Sequence, residues 1–103
     1  FSDSDEAIVK IDGKQILPEG IVTLERDDTI LLEVEGVKPN SRVDFKVKKM
    51  GIRWAEDSYD VDDTGKIKAI LDIPENKITL NCFVSYYTSD NVFKTVEFKF
   101  KVV

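Results

Sequence analysis

From Ala7 onward, apolar residues recur at every second position in short runs, and Gly, Pro, Asn or Asp stands at nearly every break between runs. This beat fixes the fold class more tightly than any other feature, because a period of two places alternate side chains on opposite faces of a strand. "RVDFKVK" is the clearest case: Val43, Phe45 and Val47 share one face, and Arg42, Asp44, Lys46 and Lys48 share the other. "TILLEVE" sets Ile30, Leu32 and Val34 together, and "KIKAILDI" does the same for Ile67, Ala69, Leu71 and Ile73. "AIVKI", Asp12-Gly13 and "KQIL" read as a hairpin, with "IVTLE" after the break at Pro18-Glu19-Gly20. No stretch carries a 3.6-residue apolar stripe. Turn signals every 8 to 12 residues therefore predict an all-β chain, either a two-sheet sandwich or a barrel.

The final two strands predict their own register. If "KITLNCFVSYYT" and "VFKTVEFKFKV" fold about Ser89-Asp90-Asn91, Val84 faces Val96, Cys82 faces Phe98, Leu80 faces Phe100 and Ile78 faces Val102. A slip of one residue would set Lys94, Glu97 and Lys99 against the same apolar face. The same register points Phe83 and Tyr87 outward and sets Tyr87 against Phe93. Phe83, Tyr87 and Phe93 are thus a candidate docking patch, and a cross-strand pair that stiffens the hairpin is the plainer alternative.

At 103 residues the chain has the length of one domain and can bury roughly two thirds of its unfolded surface. We expect residues 1–6, "FSDSDE", to be a disordered leader or linker and residues 7–103 to be a single domain. A first residue of Phe1 points to a processed chain or a piece of a longer one. With 42% hydrophobic and 34% charged residues, the composition excludes collagen-like and disordered classes. Twenty acids against fifteen bases give a net charge of -5, which argues against nucleic acid as a partner. No apolar run reaches the roughly 20 residues that a membrane-spanning helix requires.

Chemistry is sparse. The sequence contains no histidine, which removes Ser-His-Asp and Cys-His catalysis and every His-ligated metal. Cys82, the single cysteine, has no intramolecular partner and is expected to be a buried, inert thiol beside Phe98. "DVDDTG" places Asp60, Asp62 and Thr64 at the first, third and fifth positions of a calcium loop, with Gly65 at the sixth. The twelfth position, which should be a bidentate Glu, is Leu71. Asp60, Asp62 and Thr64 are accordingly weak metal candidates, and "DDTG" reads better as a hairpin turn. No cofactor is expected.

Two stretches carry a family likeness. Gly36, Lys38, Pro39, Asn40, Ser41 and Val43 in the first, and Asp62, Asp63, Gly65, Ile67, Ala69, Leu71 and Pro74 in the second, resemble the immunoglobulin-like modules of bacterial secreted and cell-surface proteins. That resemblance implies an antiparallel two-sheet immunoglobulin-like sandwich of about seven to eight strands. It also implies a non-catalytic spacer or protein-interaction module, an extracytoplasmic location, and neighbouring domains or another protein as partners. The antibody pattern departs here: Trp54 and Cys82 occur in order, but the first cysteine of the bridge is missing. The alternative is a carbohydrate-binding sandwich using outer-face aromatics, with a structural calcium. Open arrays of Trp and Tyr would favour sugar, and burial of Trp54 and Tyr86 would favour the spacer.

Overall fold

The computed structural model describes residues 7–103, so the expected leader at 1–6 lies outside the described residues. Among the described residues nine strands are formed: β1 (Ile8–Ile11), β2 (Lys14–Ile16), β3 (Ile21–Leu24), β4 (Thr29–Glu35), β5 (Arg42–Lys49), β6 (Ile52–Asp60), β7 (Lys66–Asp72), β8 (Ile78–Tyr87) and β9 (Phe93–Val102). The count passes the expected seven to eight because the short edge strands β2 and β3 each form a ladder of their own. One sheet runs β2-β1-β4-β7 and the other β3-β9-β8-β5-β6. With β4 and β7 in one sheet and β5, β8 and β9 in the other, the arrangement is that of an immunoglobulin-like sandwich.

Local chemistry accounts for the turns. Asp12-Gly13 joins β1 to β2 and Met50-Gly51 joins β5 to β6, each as a two-residue connection with both φ angles positive. That backbone matches the right-handed twist of a hairpin. At the β8–β9 turn, Asn91 takes a φ of 67° and its N–H bonds the Thr88 carbonyl at 2.8 Å, closing the three-residue loop read from the sequence. The ladder beyond it has the expected register throughout, Val84 to Val96, Cys82 to Phe98, Leu80 to Phe100 and Ile78 to Val102.

Those pairs help fill one interior. Leu32, Val34, Val43, Cys82, Val84 and Phe98 are fully buried, and Leu71 packs against them from the sheet edge. Phe98 and Phe100 meet with ring centroids 5.5 Å apart. Tyr86 is the largest fully buried side chain, and its hydroxyl accepts the Ala7 N–H at 3.1 Å.

Two sequence expectations need correction. First, the sandwich is not wholly antiparallel. β3 runs parallel to β9, with Ile21 beside Lys99 and Leu24 beside Val102. Alternation cannot reveal this, since strand direction leaves no trace in a period of two. Second, "DDTG" is not a hairpin turn. β6 belongs to the five-stranded sheet and β7 pairs with β4 in the other, so residues 61–65 carry the chain from sheet to sheet.

The sandwich measures 39 × 22 × 22 Å. Ala7 stands at one pole with loops 36–41, 61–65 and 88–92, which are tied together by Lys38 N–H to Tyr87 O (2.9 Å) and Asn40 N–H to Asp62 O (3.2 Å). Val103 stands at the other pole, where its N–H bonds Leu24 O at 2.9 Å and Asp27 N–H bonds Pro74 O at 3.1 Å.

Candidate functional site

The aspartate turn is a backbone cap. A single Asp62 oxygen, Oδ1, accepts the Thr64 N–H (2.9 Å), the Thr64 hydroxyl (2.7 Å) and the Lys66 N–H (3.0 Å). These bonds, led by the Thr64 hydroxyl and the Lys66 amide, hold the Asp62 carboxyl below its ordinary value. Thr64 therefore spends its hydroxyl on Asp62, while Asp60 lies in β6 opposite Arg42. Among the described residues, no three metal-ligating side chains converge. The two stretches behind the family likeness meet at this turn, since Val37 N–H bonds Gly65 O at 3.3 Å.

A depressed carboxyl links this turn to pH. Because the folded state holds Asp62 more acidic than the unfolded chain does, its contribution is complete above the unfolded value of about 4 and is lost as pH falls through the folded value. Thermal melts of wild type and Asp62→Ala should therefore differ most near neutrality, and the gap should close as the pH is lowered below about 4. A constant gap down to the acid limit would show that the carboxylate charge is not what the turn uses.

The outer-face aromatics divide into two groups. Tyr87 and Phe93 pair as expected, at 5.1 Å between centroids, and both are exposed. Phe83 sits further along β8, beyond the Ser85–Thr95 pair, whose hydroxyls are hydrogen-bonded at 3.0 Å. Lys48 Nζ lies 5.3 Å from the Phe83 ring centre. The three rings therefore form one exposed pair and one cation-capped ring, not a continuous platform. Of the two residues chosen to separate spacer from sugar binder, Tyr86 is buried at 1% exposure and Trp54 is half open at 47%.

Cys82 is fully buried on the inner face of β8, opposite Phe98. Burial pushes its thiol up to about 12, which leaves essentially no thiolate near neutral pH.

One concavity is not announced by the sequence. β6 and β7 are the edge strands of their sheets on the same flank, and the seam between them opens into a cavity of about 260 Å³. Its floor is the core itself, through Phe45, Val47, Leu80 and Phe100. Trp54, Asp57 and Tyr59 come from β6, and Leu71, Asp72 and Pro74 from β7 and the residues after it. A β-bulge creates the aromatic lip: Val47 pairs with Ala55 and Lys48 with Arg53, so Trp54 is the unpaired extra residue. Asp57 lies opposite the inward-facing Phe45, which points it toward the inner side of the sheet. Tyr59, partly buried on the same side, has its hydroxyl pKa raised, first by burial and then by the charge of Asp57. The only hint in the sequence is that "IRWAEDSYD" breaks the apolar alternation seen in its neighbours.

No family model matches the chain, and no curated protein matches it. Among solved structures, it is similar to the crystal structure of a CARDB domain from Pyrococcus furiosus in complex with di-metal ions. The two share 11% identity over 95% of this chain and 94% of that chain, with a TM-score of 0.44.

Proposed function

We propose that this immunoglobulin-like domain is a non-catalytic spacer or protein-interaction module of an extracytoplasmic bacterial protein. The observation that carries the reading is the placement of Ala7 and Val103 at opposite poles of a body 39 Å long and 22 Å wide. Neighbouring segments attached there would be held apart along the strands, and the flanks would stay free for contact. Tension applied between the poles acts along β3 and β9, which run in parallel, so the rungs of that ladder are sheared together instead of being opened one at a time.

Single-molecule pulling tests this. Loaded through Ala7 and Val103, the domain should unfold at a clearly higher force than when it is loaded through Ala7 and Asp90, which share a pole and pull across the strands. Equal or lower resistance between the two poles would overturn the spacer reading.

A further inference from the structure

We propose that the cleft between β6 and β7 binds a small organic cation with an apolar body, of the arylalkyl-ammonium type. Three observations meet there. The cavity is smaller than the roughly 300–1,000 Å³ typical of sites for drug-sized ligands, so its occupant is small. Its walls are aromatic and aliphatic, with Trp54 on the lip, Tyr59 further along β6 and Phe45 and Phe100 below, a surface that suits an aryl or branched alkyl group. One carboxylate faces the cleft, that of Asp57 on β6, whereas Asp72 of β7 turns its side chain to the outer face of its sheet beside Thr29.

Among the described residues, the Asp57 carboxylate is not neutralised from within. The ion pairs among the described residues join Lys10 to Glu35, and Lys46 and Arg53 to Glu56, and leave Asp57 and Asp72 out. Among the described residues, the cavity lining includes no lysine or arginine. An anion would meet like charge, and a neutral ligand would use only the walls, whereas an ammonium group matches the Asp57 carboxylate and the ring faces together. Pairing of β6 with β6 of a second copy is opposed by Glu56, Asp57 and Asp60 on the edge strand.

Trp54 is the single tryptophan, so its fluorescence reports on the cleft directly. Titration with 2-phenylethylammonium should shift Trp54 emission saturably, with affinity at least about fivefold tighter than for the neutral 2-phenylethanol. The advantage should shrink at 1 M salt. Asp57→Asn, at an exposed position that should leave the fold intact, should weaken the amine by roughly threefold and leave the alcohol unchanged, while the outer-face control Asp72→Asn should change neither. Equal affinity for amine and alcohol, or amine binding indifferent to Asp57→Asn, would overturn the proposal. So would an Asp57→Asn protein that self-associates while its amine response stays the same, because Asp57 would then serve only to guard the sheet edge.

Discussion

Phe98→Ala should destabilise the domain by about 3–5 kcal/mol. Phe98 is fully buried in the middle of β9, faces Cys82 across the ladder and packs on Phe100. Removing the ring loses its burial and leaves a void where two rigid sheets are held by their ladders and cannot close over it. For a domain of this size such a loss lowers the melting midpoint by about 15–25 °C, which calorimetry will register directly. An outer-face control on the same strand, Lys99→Ala, should stay within about 0.5 kcal/mol. Comparable losses for Phe98→Ala and Lys99→Ala would mean that the two faces of β9 are not inside and outside.

Gly65→Ala is expected to be nearly as damaging although it removes nothing. Gly65 has a φ of 79°, and a Cβ added there would stand 2.6 Å from the Val37 carbonyl oxygen. The obstacle is backbone, in a segment tied to Gly65 by its own hydrogen bond, so no side chain can swing away. Positive φ on a residue with a Cβ costs about 1–2 kcal/mol, and displacing the Val37 loop backbone adds to it. We expect a loss of about 2–4 kcal/mol in urea denaturation. Gly13→Ala provides the comparison, because Gly13 has a similar φ of 85° but open space where the Cβ would go. The excess of the first variant over the second measures the collision alone. No excess would show that the two stretches do not pack as described.

Why some of this was legible in the sequence and some was not follows from the range of each interaction. The β8–β9 hairpin could be read to the residue because its register is set locally, by a turn with Asn91 in a left-handed conformation and by two strands whose apolar faces must coincide. The 61–65 turn was recognisable as a turn from Asp62, Thr64 and Gly65, but sheet membership depends on which distant strand β7 meets, and that strand is β4. The direction of β3 was hidden for the same reason. The β6–β7 cleft was invisible because it arises from a bulge at Trp54 and from an acid, Asp57, at a position that alternation would give to the core. An irregular edge strand has no periodic signal, and irregularity is what opens the seam.

The parallel partnership of β3 and β9 also governs when the domain can come into being. Ile21 finds Lys99 only after β9 has been made, and Ala7 finds Tyr86 only after β8. During synthesis, β3 must therefore wait without its neighbour until the last strand emerges from the ribosome. Completion of the five-stranded sheet is a late, all-or-none event, slow in the manner of folds dominated by distant pairings.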